Sequence, residues 1–356
     1  GLCLVGSEMC IRDRDKSFLF LLINTCMRRH KQAQKIYNEY ARFGIKKKNR
    51  YLNGILVIAT IQLIWLEIAP YAVLNEAVNQ AKFYIGDKQS KLVNAILRNM
   101  LANKDDWLSL IPEDKYNLPE WLLNSWISSY GEKNVDEIAT IAMEPPPLDI
   151  VVSNKMKKSE LEQLKLNLSG EQILPNVIRC NLNEPVESLP RFSDGIWWIQ
   201  DVASQIPCNL LLSKINQHFS KSINSIKVID MCCAPGGKTA QLLNNELDVV
   251  SIEKSKLRSH NFKENMKRLN FNYNLINANA ENYMPNFKAD VILIDAPCSA
   301  TGTIRKNPDI FIKPAPTNLD DLILTQDNIL NNASKILNKN GSVSYTHLRA
   351  HETESN

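Results

Sequence analysis

The sequence has no apolar run long enough to span a bilayer, no disulfide framework, no paired C-x2-C knuckles and no dinucleotide fingerprint. Each absence removes a class of protein. Its most apolar stretch, "ILVIATIQLIWL" from Ile55 to Leu66, is twelve residues long and contains Gln62, against the ~20 apolar residues of a helical span. It therefore reads as a buried helix, and no membrane partner is expected. Eight cysteines at irregular spacing in 356 residues, with Cys232 and Cys233 adjacent, imply a reducing cytosol and no structural metal. The start, "GLCLVGSEMCIRDRD", has no basic region ahead of a continuous apolar one, which makes it a poor signal peptide. No internal repeat and no low-complexity segment is found.

Net charge is also small: 42 Lys and Arg against 38 Asp and Glu leave +4. That sum does not by itself point to nucleic acid, but the positive charge is concentrated. Between Arg28 and Arg50 lie nine basic residues and one acid, Glu39, a local field that attracts phosphates whatever the total. A solvated charged face is the bland alternative.

The chain is long enough for two or three domains. From about Lys16 to Leu101 the pattern is helical: Val73, Ala77, Val78, Ala81 and Ile85 follow a 3.6-residue period, as do Leu92, Val93, Ile96, Leu97 and Met100. A further helix carries Trp121 and Trp126, and the run Pro145, Pro146 and Pro147 marks a boundary. A small mixed region follows, with "LDIVVS", "VIRC" and "IWWIQD" as strands and "KSELEQLKLNL" as a helix. After Ile226, buried strands alternate with helices: "IKVIDM", "LDVVSIE", "YNLINAN" and "ADVILID" as strands, ending in a long helix from Leu319 to Leu337 with Gly341 as its C-cap. Such alternation predicts a parallel, doubly wound α/β sheet with ligands at the carboxyl ends of its strands.

The segment "VIDMCCAPGGKTAQL" carries the strongest signal. A strand ends at Asp230, and Gly236 and Gly237 let a ligand approach the backbone ahead of a helix N-terminus. The "GKT" that suggests a phosphate-binding P-loop lacks the required earlier glycine, because Cys232 stands there. What fits is a nucleoside with a charged amino-acid tail. Glu253, at the end of the next strand, is placed like the acid that binds ribose hydroxyls; Asn279 in "INANAEN" would contact the adenine. Asp295 ends an apolar run in "ADVILIDAPCSATGTIRKNPDI", where an ionisable group is costly to bury.

In "DMCCAPGGKTAQL", "DAPCSATGTIRKNPDI" and "WWIQDVASQ" the chain resembles, over about residues 15 to 343, the bacterial 16S ribosomal RNA cytosine-5 methyltransferases of the Sun (Fmu) type. The helical N-terminal region resembles the NusB fold. This resemblance implies a helical RNA-binding domain at 15–130, a small α+β domain at 145–215, and an S-adenosylmethionine-binding, Rossmann-like class I methyltransferase domain at 216–343 that lacks its last strands. Residues 1–14 and 344–356 resemble translated adapter sequence, and neither end is expected to belong to the natural protein.

The resemblance further implies S-adenosylmethionine held by Cys232, Cys233, Ala234, Pro235, Gly236, Gly237, Lys238, Glu253, Asn279 and Asp295, with Asp more common in the family at the position of Asn279. C5 of cytosine is a poor nucleophile, so a thiolate adds to C6 and makes an enamine-like ring that accepts a methyl group. Asp295 would hydrogen-bond the base near N3 and N4, and Cys298 of the "PCS" motif would assist product release. The attacking thiol of the family lies in a T-C-S motif on the next strand; here Leu348 stands at that register, so the chain as written is expected to bind cofactor without turnover. Small-subunit ribosomal RNA is the implied partner, met by Arg28, Arg29, Lys46, Lys47, Lys48, Arg50 and Arg305, and a monomer is favoured. Two rival readings remain: a non-catalytic RNA-binding protein that keeps the cofactor fold, and a DNA cytosine-5 methyltransferase, in which a proline-cysteine motif holds the nucleophile.

Overall fold

The computed structural model describes residues 13–345 apart from 43, 47, 182–184, 219–221, 223 and 224. Lys47, Leu348, and most of the two expected non-native ends lie outside the described residues. The chain divides into two compact units: residues up to Pro146 together with Ala300–Ala315, and Pro147–Ser299 together with residues from Pro316 onward.

In the first unit the predicted 3.6-residue stripes become helices. Helix α1 (Asp13–Glu39) bends at Arg29, whose φ of −109° and ψ of 16° are not helical; α2 (Arg50–Ile64), α3 (Pro70–Tyr84) and α4 (Asp87–Ala102) follow. Proline at the first position of α3 costs nothing, because the amide it lacks would have no helical partner there. Val73, Ala77 and Ala81 of α3 and Val93, Ile96, Leu97 and Met100 of α4 are buried against Ile36 and Leu56. Each large aliphatic side chain so buried contributes about 1.5–3 kcal/mol. Leu92, placed in the same stripe by its spacing, is 41% exposed instead; one residue before Val93, it falls outside the buried arc.

After a short α5 (Trp107–Leu110) come α6 (Glu120–Tyr130) and α7 (Glu132–Ala142). Leu122 and Trp126 of α6 and Val135 and Ala139 of α7 form a second core with Ile304, Ile310 and Phe311 of the returning segment. The "TIRKNPDIF" stretch thus completes the helical unit. No helix of the described residues is long and apolar enough to cross a membrane.

The second unit holds two sheets. β1 (Leu148–Val152), α8 (Lys158–Asn167), β2 (Glu171–Leu174), β3 (Val177–Cys180) and β4 (Trp197–Ile199) include a four-stranded antiparallel sheet of order β2-β3-β1-β4. α9 (Val202–His218) leads on to β5 (Lys227–Met231), α10 (Gly237–Leu243), β6 (Asp248–Ile252), α11 (Lys256–Arg268), β7 (Asn274–Ile276), β8 (Ala289–Ile294), α12 (Leu319–Ile336) and β9 (Leu337–Tyr345). The five strands pair in parallel in the order β7-β6-β5-β8-β9.

Both faces of this sheet are covered, as continuous apolar strands require. Ile229, Met231, Ile292 and Ile294 pack on Ile329, Ala333 and Ile336 of α12, while Val228, Val291 and Leu293 pack on Cys208, Leu211 and Ile215 of α9. The two sheets share a core as well, since Val151, Val177 and Trp198 meet Phe262 and Met266 of α11.

One expectation is corrected here. Gly341 does not cap α12, which ends at Ile336 with Leu337 already extended. It lies inside β9, where a Cβ would stand 2.8 Å from Leu337 Cγ and 2.9 Å from the Asp290 carbonyl. Its small size serves the close approach of β9 to β8.

Candidate active site at the carboxyl ends of the parallel sheet

The chain runs outward from β5 to β6 and β7, then returns to lay β8 on the other side of β5. That reversal opens a crevice at the carboxyl ends of β5 and β8, where ligands of such sheets bind. The predicted residues follow the strands that feed it: Cys232–Lys238 after β5, Glu253 after β6, Asn279 after β7 and Asp295 after β8. Asp295 continues the ladder, its amide donating to the Met231 carbonyl at 3.2 Å, and the amide of Cys233 donates to Ile252 at 3.1 Å.

The loop after β5 is tightly specified. Cys232 adopts a left-handed φ of 64°, and Ala234–Pro235 is a cis peptide. Gly236 has a φ of 108°, and a Cβ there would lie 2.8 Å from Met266 Cε, so both conformation and space call for glycine. Asn265 Nδ2 donates to the Pro235 carbonyl at 3.0 Å, and Arg258 Nη2 donates to Ala234 O. Lys238 and Asp295 form an ion pair, Nζ to Oδ2 at 2.6 Å, with the lysine mostly buried and the carboxylate partly exposed. Asp295 can therefore face a ligand while its charge is held by Lys238.

Beneath this pair Asp230 is fully buried and accepts a hydrogen bond from Thr239 Oγ1 at 2.5 Å. Burial pushes its carboxyl up to about 7, with the nearby Asp295 charge adding to the rise and the Thr239 bond and Lys238 opposing it. Burial likewise lifts the Cys232 thiol to about 12, reinforced by Glu253, and raises that of Cys233. Neither is a thiolate near neutral pH; both serve the loop as small side chains, Cys233 buried and Cys232 partly so.

Glu253 is 3% exposed. Its Oε1 accepts from the Ser255 amide at 2.8 Å; its Oε2 lies 3.4 Å from Arg258 Nη1, outside hydrogen-bond geometry, so that buried oxygen keeps no hydrogen-bond partner. Asn277 Nδ2 braces the turn from beside it, donating to the carbonyls of Glu253 at 2.8 Å and Lys254 at 3.2 Å. Asn279 is turned to Glu281, accepting from its amide and donating to its carboxylate, both at 3.1 Å.

Cys298 is half-buried and not in a disulfide. Its turn is held from α12 by the buried Gln326, whose Nε2 donates to the Pro297 carbonyl at 2.9 Å and whose Oε1 accepts from Tyr345 Oη at 3.3 Å. Arg258, Asn277 and Gln326 escape the sequence reading because their main partners are backbone carbonyls, which leave no motif. The one usable signal was Ser255, whose side chain caps α11 by accepting from the Arg258 amide.

The expected basic set separates in the first unit. Arg28 is corrected from a phosphate contact to a clamp: it is 5% exposed and donates to the carbonyls of Ala142 and Arg305. Arg29 is engaged by Gln32, Asp114 and the ring of Trp65. Arg305 donates to the Pro145 carbonyl at 3.1 Å. Lys46, Lys48 and Arg50 remain exposed.

A parallel sheet with acids at its strand ends and a glycine-bearing loop ahead of a helix is the build of nucleoside-cofactor methyltransferases. The fold is similar to that of NSun6 from Pyrococcus horikoshii, solved with SFG, which aligns over 66% of this chain and 85% of its own at 20% identity with a TM-score of 0.56. The crystal structure of PH0851 aligns over 96% of this chain and 80% of its own, at 17% identity and a TM-score of 0.70. At the level of sequence, residues 220–355 match the family described as 16S rRNA methyltransferase RsmB/F, and residues 7–102 match the NusB family. Ribosomal RNA small subunit methyltransferase B of Photorhabdus laumondii is 31% identical over 348 residues, 94% of this chain and 79% of that protein. The chain belongs to the 16S rRNA methyltransferase RsmB/F family.

Proposed function

We propose that the chain binds S-adenosylmethionine at the carboxyl ends of β5, β6 and β8 and serves methylation of cytosine C5 in small-subunit ribosomal RNA. The observation that carries the cofactor is Glu253, a buried carboxylate with one oxygen lacking a hydrogen-bond partner. Left so, it is costly; the vicinal hydroxyls of a ribose are the donors that suit it. The donor set fits the rest of the molecule too, with the loop from Cys232 to Lys238 for the amino-acid portion and the turn at Asn279 for the adenine.

When bound, S-adenosylmethionine supplies an electrophilic methyl group. The protein's own part is to hold the base and manage protons. Asp295, steadied by Lys238, accepts hydrogen bonds from the cytosine N4 amino group and from N3 as that nitrogen takes up a proton, which offsets the negative charge that builds in the ring when C6 is attacked. Cys298 assists release of the product. By register the attacking thiol's place is taken by Leu348, and a leucine cannot add to C6.

The proposal is tested by titrating purified protein with labelled S-adenosylmethionine and small-subunit ribosomal RNA. Saturable cofactor binding is expected, weakened about tenfold or more by Glu253→Ala, with no methyl transfer by the chain as written. Absence of cofactor binding sinks the cofactor assignment, and labelled 5-methylcytosine in the RNA would bear out the methylation while sinking the expectation that the chain with Leu348 at the thiol's register does not turn over. The non-catalytic RNA-binding reading is favoured by Leu348 alone, and it predicts RNA binding that no addition of cofactor alters.

A further inference from the structure

Three large rings stand in solvent where the first unit's basic loop enters α2. Tyr51, Phe83 and Tyr84 are 67%, 82% and 60% exposed. They form an ordered group: the Tyr51 and Tyr84 rings stack with centroids 5.9 Å apart and planes within 7°, and Phe83 meets Tyr84 edge-on at 4.9 Å. Tyr51 is the second residue of α2, and Phe83 and Tyr84 are the last two of α3, so helical backbone fixes the base of each ring.

The charge that leads into Tyr51 is positive, while at the far end of α3 Lys82 is paired with Asp87. Lys46, Lys48 and Arg50 lead directly into Tyr51, all are exposed, and none pairs with a carboxylate among the described residues. Arg50 also lines a cleft of about 590 Å³ that carries Lys31 and Lys313 together with one acid, Glu120. Exposed aromatic faces fringed by unpaired cations suit a ligand with flat apolar rings on a polyanionic backbone. Unpaired RNA bases stack on such faces while their phosphates take the cations; a duplex keeps its bases inside and cannot.

We infer that Tyr51, Phe83 and Tyr84 are a stacking platform for unpaired RNA bases whose phosphates lie on Lys46, Lys48 and Arg50. The inference rests on the RNA substrate proposed above and adds where, and in what strand state, that RNA is gripped. It is tested by fluorescence anisotropy of the full chain with a labelled single-stranded oligoribonucleotide of about 12 nucleotides and with the matching duplex. Tyr84→Ala is expected to weaken single-strand binding about tenfold and leave duplex binding unchanged, while Tyr84→Phe keeps the wild-type affinity. Lys46→Gln with Lys48→Gln weakens both and lowers the salt slope by about one to two. Equal loss for both RNAs, or no loss with Tyr84→Ala, overturns the platform. So does sedimentation showing that Tyr84→Ala dissociates a dimer without changing RNA affinity, which marks the rings as a protein contact. The assay needs no cofactor: a chain that shows this pattern yet fails to bind S-adenosylmethionine refutes the methyltransferase reading alone, and the converse refutes the platform alone.

Discussion

Asp230 sits at the end of β5 with no contact to solvent, one oxygen bonded to Thr239 and the other without a hydrogen-bond partner. Folding favours its protonated form, so its contribution to stability is fully present below its ordinary value of 3.8 and is lost as the pH rises to about 7. Asp230→Asn keeps an acceptor for Thr239 and never ionises. Its melting temperature relative to wild type should therefore climb between about pH 4 and pH 7 and then level off; a difference that stays flat across that range refutes the account. At this scale the sequence discloses a residue when its position alone gives its task. Glu253, Lys238 and Asp295 follow strand ends in a doubly wound rhythm, and the fold sets them beyond the carboxyl ends of the neighbouring parallel strands β6, β5 and β8. Arg28 shows the limit, because a basic run looks the same whether a guanidinium meets phosphate or, as here, two backbone carbonyls.

Among the elements, those with a clear period were legible and those held by tertiary contact were not. The buried strands and α12 lie where apolar runs and a helical pattern put them. α9 passed unread because Pro207 interrupts it, and a proline inside a helix ordinarily marks an end. Its burial against β5 and β8 through Cys208, Leu211 and Ile215 supplies what the local sequence withholds. β9 was concealed in a similar way, since "LNKNGSVSY" has little strand character until it is laid against β8. Gly341→Ala tests that placement. A methyl at 2.8 Å from Leu337 and 2.9 Å from the Asp290 carbonyl must push β9 away from β8, and denaturant unfolding should report a loss of about 1–3 kcal/mol. A neutral result would mean that this strand pairing bears little on stability.

For the molecule as a whole, the informative feature is that the helical unit is not contiguous in sequence. Ile304, Ile310 and Phe311 come from beyond β8, yet they are buried with Trp126 and Val135. Their spacing follows no helical or strand period, so sequence reading kept them with the motif around Cys298. Burial at about 1.5–3 kcal/mol apiece, set against total stabilities of about 5–15 kcal/mol, makes them a large share of what the helical unit has. A fragment of residues 13–146 is expected to melt without cooperativity, and the same fragment carrying residues 300–315 on a flexible linker to melt sharply; equal transitions would count against this. The covalent path therefore passes from one unit to the other three times, after Pro146, Ser299 and Ala315. A recombination event that exchanged the helical unit between genes would have to carry two separated stretches of coding sequence, and a single crossover at the proline run would strand one of them in the wrong parent.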